Sequence, residues 1–107
     1  MKHIIRLAAR DNILRQFRYY LVDQDTPEVA NRWFEAVEKS IDKILRTPNA
    51  GAPKPLSNES LAGLRSWPVE EFEDIRIYYL VEENTLRVVR VLHGKRDIRR
   101  ILEREEE

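Results

Sequence analysis

Seven residues in the second half of the chain have side chains and spacing suited to chemistry or recognition: Arg65, Trp67, Arg76, Tyr78, His93, Arg96 and Asp97. His93 stands where an apolar run meets Gly94, and an imidazole there could act as general acid or base near neutral pH. A lone histidine at a strand end also serves as a hydrogen-bonding rim residue, and both readings are open. Arg65 and Trp67 are two apart, as are Arg76 and Tyr78, so in extended chain each pair shares a face. That sets a cation beside an aromatic ring on each of two strands. Gly94-Lys95-Arg96-Asp97 reads as a turn into a helix, with Asp97 in its first turn and Lys95, Arg96, Arg99 and Arg100 crowded around it. So many cations in one short segment suit an acidic protein segment or a nucleic acid.

The chain has no cysteine, which excludes disulfides, a thiolate zinc site and a cysteine nucleophile, and His3 is the only other histidine. No phosphate-binding Gly-rich loop, dinucleotide fingerprint or nucleophile elbow occurs, so no cofactor or metal is expected.

The elements that must position these residues can be read from hydrophobic periodicity. Leu64–Val69, a run ending Ile75–Val81, and Leu86–Leu92 are rich in Val, Ile, Tyr and Trp. The last two are separated by Glu82-Glu83-Asn84-Thr85, long enough for a hairpin and too short for a crossover, which predicts antiparallel strands. Pro68 cannot donate to a ladder, so its strand lies at an edge or bulges there. In the last strand, simple alternation places Leu86, Val88, Arg90 and Leu92 on one face and Arg87, Val89, Val91 and His93 on the other. Both faces are partly apolar. A helical layer covering one of them would leave the other as a groove in need of a partner.

Ahead of this sheet, Ile4–Leu7 reads as a short strand. Ile13, Leu14, Phe17, Tyr20 and Leu21 recur at helical steps from about Ala9 to Asp23. Thr26-Pro27-Glu28 predicts a helix start, with Thr26 as the cap and Pro27 in the first turn. Ala30, Trp33, Phe34, Val37, Ile41, Ile44 and Leu45 form the apolar stripe of a long second helix, ended by Thr47-Pro48-Asn49-Ala50-Gly51. Residues 49–63 read as a loop with a helical turn near Ser60-Leu61, and as the segment best suited to move. The Glu105-Glu106-Glu107 tail is expected to fray.

At 107 residues the chain is expected to be a single domain, residues 1–107. Arg6 and Arg10 interrupt any signal-peptide core, and no window reaches membrane-spanning length, so a cytoplasmic protein with no membrane partner is expected. The 19 basic and 19 acidic residues cancel, yet residues 84–102 carry Arg87, Arg90, Lys95, Arg96, Arg99 and Arg100 against Asp97 alone. A neutral chain with a basic end can still offer a local positive patch.

These segments together resemble the RelE/ParE toxin superfamily, in its ParE-like, plasmid-stabilisation branch. The resemblance spans the first strand, the helical hairpin with Asp25-Thr26-Pro27, the Thr47-Pro48 to Gly51 exit, Gly63–Val69, and Ile77-Tyr78-Tyr79. Its most specific part is Val91-Leu92-His93-Gly94-Lys95-Arg96-Asp97-Ile98. It implies an α+β fold of order β-α-α-β-β-β-α, a helical hairpin packed on a small, largely antiparallel sheet.

The resemblance also implies a bacterial toxin of a type II toxin–antitoxin system, held in a hetero-oligomeric complex by a co-encoded antitoxin whose flexible segment wraps it. ParE-like members act on DNA gyrase, whereas RelE-like members cut messenger RNA on the ribosome. In the second case Arg65, Arg76, Tyr78 and His93 would be cast as proton carriers and phosphorane-stabilising cations. RNA-cutting relatives often carry an adjacent histidine and tyrosine near a short C-terminus and lysine-rich loops. Here His93 precedes Gly94 and a further helix, and residues 50–63 hold only Lys54 as a base. Gyrase inhibition without catalysis is therefore the leading expectation, with a ribosome-dependent endoribonuclease and a non-toxic antitoxin-binding relative as alternatives. On the leading reading Arg65, Arg76 and Arg96 supply charge to a partner, Trp67 and Tyr78 contact area, and His93 with Asp97 the geometry of the rim.

Overall fold

A computed structural model describes residues 1–105. Its order is β1 (Lys2–Ile5), α1 (Leu7–Arg18), a π-helical turn (Tyr19–Asp23), α2 (Pro27–Arg46), β2 (Ala52–Pro53), a 3-10 turn (Glu59–Leu61), β3 (Arg65–Val69), β4 (Phe72–Glu82), β5 (Thr85–His93) and α3 (Ile98–Glu103). The sheet runs β1-β5-β4-β3-β2, antiparallel except for the parallel β1–β5 pair. This is the expected α+β architecture with one added strand. β2 lies in the segment read as loop, and its two residues, one of them proline, carry no strand periodicity to read.

Helices α1 and α2 cover one face of the sheet. Trp33 is fully buried and donates Nε1–H to the Ile13 carbonyl at 3.0 Å, which fixes α2 against α1. Phe17 and Phe34 stack with ring centroids 4.3 Å apart, a contact worth about 1 kcal/mol beyond its buried area. Below them lie Ile41 and Ile44 of α2 and Ile77, Tyr79, Leu86, Val88 and Val91 of the sheet. Pro27 opens α2 as predicted, but Thr26 does not cap with its side chain. Its hydroxyl turns back to donate to the Tyr20 carbonyl at 3.0 Å, closing the link between the helices.

The opposite face is covered, which corrects the expectation of an open groove. Leu61 and Leu64 from the loop and Ile98 and Leu102 from α3 pack on Tyr78, Leu80, Val89 and Leu92. The expected alternation along β5 also fails, because Tyr78 pairs with Arg90 but Tyr79 pairs with Val88. Val89 is thus an extra residue in a bulge. Beyond it the phase inverts, so that Val91 lies against the helices and Leu92 beneath α3. Of the two alternatives for Pro68 the bulge is met: the β3–β4 register shifts between Pro68 and Val69, while β3 is flanked by β2, which pairs only with Arg65 and Ser66 and stops short of Pro68.

Two tight turns join the long strands. Glu83 and Asn84 have φ of 49° and 60°, the mirror-image turn geometry whose preferred residues are Asn then Gly. Replacing Glu83 by Asn and Asn84 by Gly is expected to raise stability by about 1 kcal/mol, read as a higher urea midpoint at unchanged slope.

The loop expected to move is tied to the protein at several points. Asn58 Nδ2 donates to the carbonyls of Leu102 and Glu105, both at 2.9 Å, and the Asn58 N–H donates to Glu103 Oε1 at 2.9 Å. Ser57 Oγ donates to Glu103 Oε2. Glu105, expected to fray, accepts from Arg90 Nε at 2.8 Å; Glu106 and Glu107 lie outside the described residues. The Ser57 and Asn58 donors hold the Glu103 carboxyl below its ordinary value of 4.5. A lowered folded-state pKa adds stability that is complete above the ordinary value and is lost as pH falls through the lowered one. Glu103→Gln should therefore flatten the acid limb of a stability–pH curve below about pH 4.5 and leave the neutral-to-alkaline part parallel to wild type.

Candidate functional site

Five of the seven predicted residues lie on strands and divide between the two faces of the sheet, while Arg96 and Asp97 follow β5 in the turn into α3. Arg65 pairs across from Tyr79 and Trp67 from Ile77, so both look toward the helices. Arg65 Nη1 donates to the Gly51 carbonyl at 2.8 Å, and Trp67 packs at the edge of the helix-side core. Arg76 and Tyr78 look the other way. Arg76 Nε donates to Ser66 Oγ at 2.9 Å, and Tyr78 is only 4% exposed within the second core. Burial pushes the Tyr78 phenol pKa up, and the Arg76 guanidinium beside it opposes that rise.

His93 ends β5 opposite Ile75, on the helix side and half-buried. Its Nδ1 accepts from the Lys95 N–H at 3.2 Å, and Gly94 N–H donates to the Asp74 carbonyl at 2.7 Å, pinning the turn to β4. His93 lines an open cleft of about 550 Å³ with Gln16, Tyr19, Tyr20, Phe72 and the carboxylates Glu71, Glu73 and Asp74. Arg96 stands beside it, donating its N–H to the His93 carbonyl at 3.1 Å. Asp97 Oδ1 accepts from Arg100 N–H at 3.2 Å and caps α3.

His93, Arg96 and Asp97 therefore form one rim, while Arg65, Arg76 and Tyr78 lie elsewhere. Arg65 and His93 share a face, but their partners on β4, Tyr79 and Ile75, are four residues apart, roughly 13 Å along a strand. Among the described residues, no three His, Cys, Asp or Glu side chains converge as a metal site requires.

The sequence reading missed a surface on α1. It assigned Leu14 and Leu21 to the buried face, yet they are 45% and 37% exposed, with Leu7 at 82%, Val22 at 68%, Tyr19 at 44% and Ile4 of β1 at 41%. Leu7 and Leu14 are seven apart, two helical turns, and so share one outward face. The signal was present in Tyr19-Tyr20-Leu21-Val22, four consecutive apolar residues of which no single helical face can bury all. Leu7 opens α1 two residues after β1, whose outer edge has no strand partner among the described residues.

A family model described as ParE toxin of type II toxin-antitoxin system, parDE, matches residues 4–98. The fold matches a solved chain titled Chromosomal ParDE TA system from P. aeruginosa, with TM-score 0.70 and 17% identity. That match covers 87% of this chain and 95% of the other. Comparison with curated protein sequences gives no match.

Proposed function

This chain belongs to the ParE toxin family of type II toxin–antitoxin systems, and from that premise we propose that it blocks DNA gyrase and is neutralised by a co-encoded antitoxin laid over α1. The outward face of α1 that carries Leu7 and Leu14, 82% and 45% exposed, supports the antitoxin half of the proposal. Large apolar side chains gathered on one surface stabilise a partner that removes them from water. The open β1 edge beside them offers backbone groups for an added strand. The second sheet face is not the docking site on this reading, since α3 and the Leu61–Leu64 segment fill it.

Gyrase is favoured over messenger RNA because of how the candidate catalytic groups are distributed. Cutting RNA needs a proton acceptor, a proton donor and a cation around one phosphate. Arg76 and Tyr78 are separated by the sheet from Arg65 and His93, and the Tyr78 phenol is buried. On this reading His93 and Arg96 face the target, while Trp67, Tyr78 and Asp97 hold the fold. No helix among the described residues is long and apolar enough to cross a membrane. A gyrase inhibitor would act in the cytoplasm.

Induced expression in a bacterial host tests the proposal. Growth arrest with intact transcripts and an activated DNA-damage response is expected, relieved by co-expressing the antitoxin. Arrest with cleaved transcripts would replace gyrase by messenger RNA, and unimpeded growth would leave an antitoxin-binding relative without toxicity.

A further inference from the structure

The segment after β5 separates its charges by direction. Its three described acids are engaged by the protein: Asp97 caps α3, Glu103 accepts from Ser57 and Asn58, and Glu105 pairs with Arg90. Its five bases, Lys95, Arg96, Arg99, Arg100 and Arg104, are all exposed. Among the described residues none of the five has a side-chain hydrogen bond or ion pair within 4.0 Å; Arg99 lies within electrostatic reach of Glu103. In a chain of zero net charge this leaves a ridge of positive charge along the outside of α3.

We propose that this ridge binds the phosphate backbone of duplex DNA, independently of sequence. Four of the five bases are arginines, whose planar guanidinium matches phosphate oxygens two at a time. A protein partner would need an apolar anchor at the centre of its contact, and here the apolar residues Ile98 and Leu102 are turned inward and buried. A ridge on the order of 10 Å long faces about three phosphates of one strand. The inference stands on charge geometry alone. Where the gyrase reading also holds, the ridge would touch DNA held by that enzyme.

The test is fluorescence anisotropy of the full chain with a labelled 20-bp duplex of arbitrary sequence, from 50 to 200 mM NaCl, without gyrase. Neutralising about three phosphates predicts a log–log salt slope of about −2.7, hence affinity about 40-fold weaker over that range, at any sequence. R96Q/R100Q should weaken binding about tenfold or more at 50 mM NaCl and reduce the slope by about two. R10Q/R18Q, which removes two exposed arginines of α1, should do neither. Thermal melts check that both variants fold. No binding at 50 mM, equal loss in both variants, or stronger binding to polyglutamate than to DNA would overturn the assignment. Failure here leaves growth arrest and gyrase inhibition untouched, so the two readings fail separately.

Discussion

Gly51→Ala is expected to destabilise the protein by about 3 to 5 kcal/mol, enough to unfold much of a domain of ordinary stability. The reason lies where α2 exits toward β2. The Tyr79 hydroxyl accepts from the Gly51 N–H at 3.0 Å and donates to the Pro48 carbonyl at 2.9 Å, with Arg65 bonded to the Gly51 carbonyl at 2.8 Å. Tyr79 is fully buried, so its ring has nowhere to retreat. A Cβ on Gly51 would collide with the hydroxyl and stand 2.8 Å from Cζ. Tyr79→Phe alone removes one hydroxyl and leaves the buried Gly51 N–H and the half-buried Pro48 carbonyl without it, at a cost of about 1 to 3 kcal/mol. Because the two changes share one contact, the double variant should cost at least about 1 kcal/mol less than the sum of the single ones. Urea denaturation of the four proteins gives the cycle. Additive costs would show that the steric conflict lies elsewhere.

The second large effect concerns the exposed stripe. Leu7→Glu with Leu14→Glu should weaken antitoxin binding by about 100-fold, since two apolar anchors contribute on the order of 3 kcal/mol together. The positions are 82% and 45% exposed, so the denaturation midpoint should move little. In cells the variant should stay toxic when the antitoxin is co-expressed. Isothermal titration of purified toxin with antitoxin reads the affinity directly. Unchanged affinity in a folded variant would remove the stripe from the antitoxin interface.

The parts of the fold legible in the sequence are those where one periodicity runs unbroken. The stripe from Ala30 to Leu45 keeps a single helical period along most of the 20-residue helix α2, and the Glu82–Thr85 break between two β-rich runs admits only a hairpin. The bulge at Val89 was not legible. It replaces no residue by glycine or proline, and it is fixed by how β5 pairs with β4 while reaching Asn12, whose Oδ1 accepts the Val91 N–H at 3.2 Å. That one extra residue reversed the faces of Val91, Leu92 and His93. The covering of the second face was hidden because Leu61 and Leu64 are isolated apolar residues in a polar loop. They reach the sheet in a segment that Asn58 ties to the carbonyls of Leu102 and Glu105.

For the site, residue type identified the rim of His93, Arg96 and Asp97, but strand pairing decided its company. Arg65 and Trp67 were rightly paired on one face, as were Arg76 and Tyr78, yet nothing in the sequence tells which face each strand turns toward the helices. The α1 surface was misread because Leu14 and Leu21 fit a core stripe by spacing. Burial depends on what else competes for the space, and Ile13, Phe17 and Tyr20 fill it first.

The most direct test of the account is a supercoiling and DNA-cleavage assay with purified gyrase, with the protein alone and with the protein bound to its antitoxin. Loss of supercoiling and accumulation of cleaved DNA are expected with the free protein, both abolished in the complex. Gyrase that supercoils normally at saturating concentrations of a folded, antitoxin-binding protein would contradict it.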